Sequence, residues 1–260
     1  MSFILVALDT GPTAQSILDT ALRIGELTNT DVEVVHVTAD DNPAVKLRTD
    51  RAHVPLHLLR GPLESTLLTA VEAPEVIAAV LGTKAAAGDR RLLGTTARHI
   101  IERSTKPVVI VPPDFACRGF FRRLLIPLEG TEASTKPVLE KLFPLLAADV
   151  ELIVIHVFTE STVPAMLDHP WRDLEILGKE FLTRHLPNQE ASIELRHGRV
   201  GNQVAEACEE HGADLIVLSW SQDSTAGRAR VVRQILDSAK LPILLLPLRA
   251  DQPVETDSLH

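Results

Sequence analysis

Short apolar runs alternate with longer stretches of helical periodicity along this chain. Val, Ile and Leu concentrate near 3–9, 32–38, 54–60, 75–81 and 107–111 with little polar alternation, as in strands of a parallel sheet covered on both faces. Between the first two runs, Thr13–Thr28 sets Ile17, Leu18, Ala21, Leu22 and Ile24 on one helical stripe. Leu63–Ala73 and Thr96–Arg103 read as further helices. The second half repeats the alternation, with strands near 123–128, 150–157, 193–197, 214–218 and 242–246 and helices near 133–147, 173–186, 201–211 and 228–238. Such alternation predicts an α/β fold of two tandem doubly wound parallel five-stranded sheets.

The halves are copies of one unit. FILVALD at 3–9 matches RLLIPLE at 123–129, and EVVHV at 33–37 matches IVIHV at 153–157, both at an offset of 120. LLRG ending at Gly61 matches LRHG ending at Gly198 at an offset of 137, and KPVVIVPP matches LPILLLPL at 135. The second copy therefore carries about 17 extra residues between its second and third strands, where Arg172–His185 is helical in pattern. The first copy has ADDNPAVKLRTDRAH there, and its proline and polar cluster predict a lost second helix and a thinly covered flank. The expected domains are 1–113 and 123–248, joined by a semi-rigid linker over 114–122 and followed by a flexible polar tail over 249–260.

Composition narrows the function classes. The 260 residues suffice for a large core, and 35 acidic against 26 basic residues give a net charge of −9. That balance argues against nucleic acid or an anionic membrane surface as partner. No apolar run approaches the roughly 20 residues that span a bilayer. MSFILVALD reads as a first strand and not as a signal peptide. With two cysteines and no CxxC, disulfides and zinc are not expected. The expectation is a soluble, cytoplasmic protein with no metal.

The stretch LGTKAAAGDRRLLGTT, Leu81–Thr96, lies between a strand and a helix. Gly82, Gly88 and Gly94 remove side chains where backbone must turn or approach a ligand. Thr95 and Thr96 add hydroxyls at a helix start, where free N–H groups and the helix dipole favour an anion. The same residues also suit a flexible connection ending in an ordinary threonine cap, and spacing alone does not separate the two.

An acid ending strand one, HV ending strand two and a Gly-rich loop before GT and a last helix resemble the universal stress protein family over nearly the whole chain. The resemblance implies the adenine-nucleotide alpha-hydrolase-like fold. ATP-binding members carry G-x2-G-x9-G-[ST] after strand four. Here the match runs Gly82, Ala85, Gly94 and Thr95, so alanine replaces the second glycine and the last spacer has eight residues instead of nine. By this resemblance Asp9 lies near ribose and adenine, the backbone at Val37 near the base, and Gly82 beside the sugar. Gly94 and Thr95 would hold phosphate, beside the Thr96 hydroxyl at the helix start. ATP is thus expected in the first unit only. In the second unit Gly94-Thr95-Thr96 becomes Ala229-Arg230-Val231, Asp9 becomes Glu129, and Gly82 becomes Ser219 followed by the bulky Trp220.

No nucleophile–base pair, SGG-type loop or GxGxxG is evident, so no catalytic residue and no enzyme are expected. His36 and His156 end equivalent strands, which predicts a repeated structural role. The last strands, VVIVPP and ILLLPL, would be aggregation-prone if unpaired. The family pairs them across a two-fold axis, which here could be an internal pseudo-dimer or a homo-dimer contact. The leading expectation is a stress-response binding protein with an adenine nucleotide in its first unit and a protein partner whose identity the residues do not disclose. The alternatives are a nucleotide-independent interaction module and, with least support, a slow ATP hydrolase.

Overall fold

The computed structural model describes residues 1–38, 43–83, 93–117, 119–128, 132–146, 150–158, 176, 178–179, 183, 191–221, 232–236 and 239–248. The first unit runs β1 (Phe3–Ala7), α1 (Ala14–Thr28), β2 (Asp31–Val37), α2 (Pro43–Ala52), β3 (Leu56–Leu59), α3 (Leu63–Val71), β4 (Val76–Gly82), α4 (Thr95–Arg103) and β5 (Val108–Val111). The second runs β6 (Arg123–Pro127), α5 (Glu132–Leu142), β7 (Glu151–Phe158), β8 (Ala191–His197), α6 (Val200–His211), β9 (Leu215–Ser221) and β10 (Ile243–Leu248). Residues 232–236 are also helical. The 173–186 segment is helical at 176, 178–179 and 183, its other positions lying outside the described residues, as does the tail over 249–260.

The first unit has not lost its second helix. Proline at position 43 opens α2 instead of breaking it, since the first turn has no use for the missing N–H. Val45 and Thr49 stand one turn apart and are both fully buried. The Thr49 hydroxyl donates to the Lys46 carbonyl at 2.9 Å, which makes a polar residue acceptable against the sheet.

The ten strands form one sheet in the order β3-β2-β1-β4-β5-β10-β9-β6-β7-β8. Within each unit every neighbouring pair is parallel. The units meet where β5 and β10 pair antiparallel, with Val109 opposite Leu244. The question left open by the sequence is thereby answered: the two apolar last strands cover each other within one chain, and all of Val108–Val111 is buried. One apolar cluster under α1, α2 and α5 and another under α3, α4 and α6 each run through both units.

The repeat extends to individual hydrogen bonds. His36 Nδ1 lies 2.7 Å from the Leu8 carbonyl and His156 Nδ1 2.9 Å from the Leu128 carbonyl, so each ring ties the second strand of its unit to the end of the first. Gly61 and Gly198, at φ 137° and 134°, make the same turn into α3 and α6, a conformation that side chains disfavour. The linker is held against α1: the Ser16 hydroxyl donates to the Phe115 carbonyl, Phe121 is buried, and the Arg23 guanidinium stands 4.9 Å from the Phe120 ring centre.

Candidate functional site

In the first unit the strand order reverses between β1 and β4, and their carboxyl ends part to leave a crevice. A cavity of about 490 Å³ occupies it. Its walls come from the ends of β1, β2 and β4, where the chain leaves the sheet at Asp9, Val37 and Gly82, and from the amino ends of three helices. Thr13 and Ile17 belong to the start of α1, Leu63 and Leu67 to α3, and Gly94, Thr95, Thr96 and Ala97 to α4. Six residues singled out from sequence, Asp9, Val37, Gly82, Gly94, Thr95 and Thr96, therefore line one cavity. The seventh, Gly88, lies outside the described residues, as does Ala85.

None of the three helices takes a side-chain cap at its amino end. The amino-terminal residues of all three helices border the same space, so the positive ends of their dipoles lie beside it. Glu64 lies in the first turn of α3, while among the described residues that line the cavity the one acid is Asp9. One of its oxygens accepts the Gly11 N–H at 2.7 Å and so shapes the turn out of β1. A Cβ on Gly11 would come within 2.9 Å of that oxygen, so a larger residue would displace the carboxylate.

Gly82 serves packing in addition to lining the cavity. A Cβ on it would lie 2.3 Å from Ile17 Cδ1, so the isoleucine already fills the space in front of it. Gly94 is the N-cap of α4 at φ −64° and ψ 162°, an ordinary extended conformation. Any residue could adopt that backbone, so what glycine adds at this position is room beside the first amides of α4. Thr95 and Thr96 open the helix and face the cavity.

Sequence reasoning passed over Thr10, Gly11, Thr13, Ile17, His36, Leu63 and Thr83 as lining or shaping residues. The signal was present in DTGPT after β1, where an acid, a Gly-Pro turn and a threonine N-cap follow in order.

At the matching corner of the second unit, strand register sets Ser219 opposite Leu246 as Gly82 is opposite Val111. Trp220 then stands where the first unit has Thr83, and it is 5% exposed within the cluster that includes Leu218 and Val232. Its indole N–H has no hydrogen-bond partner among the described residues. Phe158 packs edge-on to His156, ring centres 4.3 Å apart. Glu129, Arg228, Ala229, Arg230 and Val231 lie outside the described residues, and Arg233 is exposed.

Among the described residues one group has metal-ligand chemistry, Glu194, Glu210 and His211. Its carboxylates already hold the buried Arg196 guanidinium, 2.9 Å from Glu194 and in contact with Glu210, which fills the cation's place. His57 pairs with Glu33 at 2.7 Å. Among the described residues no helix is long and apolar enough to cross a membrane.

The sequence model of the universal stress protein family matches residues 120–247. Comparison with curated proteins finds no match. Among solved structures, a universal stress protein from Archaeoglobus fulgidus superposes with a TM-score of 0.64 at 14% identity, covering 94% of this chain and 97% of its own. A functionally unknown protein from Pseudomonas aeruginosa superposes with a TM-score of 0.70 at 12% identity, covering 95% and 92%. Likenesses at this identity establish the shared fold over both units.

Proposed function

We propose, for a chain that belongs to the universal stress protein family, that the first unit binds an adenine nucleotide while the second is a structural partner without one. The base would lie against the end of β2 at Val37, the sugar between Asp9 and Gly82, and the phosphates at Gly94, Thr95 and Thr96. The observation that carries this reading is the crevice of about 490 Å³ bordered by the amino ends of three helices and, among the described residues, by a single acid on its wall. Such a site favours an elongated anion. The protein acts in this reading as a cytoplasmic stress-response binding module and not as an enzyme, its nucleotide-bound form being what a protein partner recognises.

The test is thermal unfolding of the whole chain with and without Mg·ATP. Ligand at 100 times its Kd adds about 2.7 kcal/mol of stability, a rise of several degrees in the midpoint. Gly94→Val should abolish the rise without unfolding the protein, because its extended backbone accepts valine. No rise in the wild-type protein at millimolar ATP would favour the nucleotide-independent module. Steady phosphate release would favour the hydrolase.

A further inference from the structure

The second unit carries a different cavity, at the amino ends of β9 and β10. It measures about 310 Å³ and is walled by Val204, Ala205 and Cys208 of α6, Ile216 of β9, and Ile235 and Ala239 ahead of β10. The first unit supplies an internal control, because hydrogen bonds fix which positions correspond. Ala79 N–H donates to the Pro107 carbonyl at 2.9 Å, and Ile216 N–H to that of Pro242 at 3.0 Å. Ser104 N–H donates to the Ile100 carbonyl at 2.7 Å, and Ala239 N–H to that of Ile235 at 2.8 Å.

By that register Leu67, Leu68, Val71 and Ser104 of the first unit become Val204, Ala205, Cys208 and Ala239, each smaller. On the sheet side Ile216 is larger than its counterpart Ala79, so the space opens on the helix side. The mouth differs as well. In the first unit Glu72 turns inward and accepts hydrogen bonds from the Ser104 and Thr105 hydroxyls and the Thr105 N–H at 2.6–2.8 Å. In the second, the matching Glu209 reaches outward to Lys240 at 3.0 Å, an exposed pair that leaves the opening unplugged. The interior is apolar enough that burial pushes the Cys208 thiol up to about 12.

We propose that this cavity binds a planar, uncharged aromatic molecule of one or two fused rings. A dry apolar cavity of about 150 Å³ accepts one benzene ring, and this one has about twice that volume. Among the described residues an ionised ligand finds no partner inside, since Glu209 and Lys240 already neutralise each other at the rim.

The experiment is titration of the full chain with indole, followed by saturation-transfer NMR and by the thermal midpoint. Saturable binding at one site per chain with a raised midpoint is expected, unaffected by ATP. Ala205→Leu and Cys208→Val each insert a bulk like that of the first unit, and affinity should fall at least ten-fold in whichever of them unfolds cooperatively like the wild type. No saturable binding in the wild type, or unchanged affinity in both variants, would overturn the proposal. Because the probe and the variants concern the second unit, failure here leaves the nucleotide reading of the first unit untouched.

Discussion

Two corners of this molecule share strand order and register but differ in a pair of residues. In the first unit β4 ends at Gly82, Thr83 follows, and a cavity lies beside them. In the second, the same register positions hold Ser219 and Trp220, and the indole is buried. On the function proposed above, a duplicated fold need not duplicate its site. The sheet fixes where strand ends part, and the side chains at those ends decide whether the space stays open or joins the core.

The largest effect that could break this contrast is at Trp220. If the indole is part of the core, Trp220→Ala costs about 3–5 kcal/mol, while Thr83→Ala costs about 1 kcal/mol for its long hydrogen bond, both read from urea unfolding. A small loss at Trp220 would mean that the second corner is open after all. Next comes Gly82→Ala, whose Cβ collides with Ile17; overpacking of this kind costs about 1–3 kcal/mol. Adding Ile17→Val should recover part of that loss, since the two share one space.

A smaller effect sharpens the symmetry of the units. Replacing either His36 or His156 by Phe should cost about 1 kcal/mol, nearly equal in the two units and additive in the double variant. The smallest effect concerns Glu72 and acid pH. Burial alone would raise its carboxyl, but hydrogen bonds from Thr105 and Ser104 outweigh this and hold it below the ordinary value of 4.5. Its contribution is complete above that value and is lost as pH falls through the lowered folded one. Glu72→Gln should thus flatten the acid side of the stability curve. Glu209→Gln should instead remove an exposed ion pair worth about 0–1 kcal/mol, an effect that high salt erases.

All ten strands were legible: the central ones are runs of Val, Ile and Leu buried on both faces, and the more exposed edge strands β3 and β8 stood out because LLRG and LRHG repeat before the same glycine turn. α2 was not. Its proline resembled a stop, and buried Thr49 interrupted the apolar spacing that Val45 began. Asp9, Val37, Gly94 and Thr95, to which the family resemblance pointed, line one cavity. Ile17 was read as a core position of α1 alone; that it also closes over Gly82 and lines the cavity depends on a contact between residues 65 positions apart, which no local pattern announces. The joining of the two halves through β5 and β10 was visible as two apolar strands in need of cover, but their pairing within one chain emerges only from the fold.

Equilibrium dialysis of the full chain against labelled ATP in the presence of Mg²⁺ puts the central contrast to the test most directly. One nucleotide bound per chain, lost in Gly94→Val, is the predicted result. Two bound per chain, or one that survives Gly94→Val, would contradict the assignment of an open first corner and a filled second one.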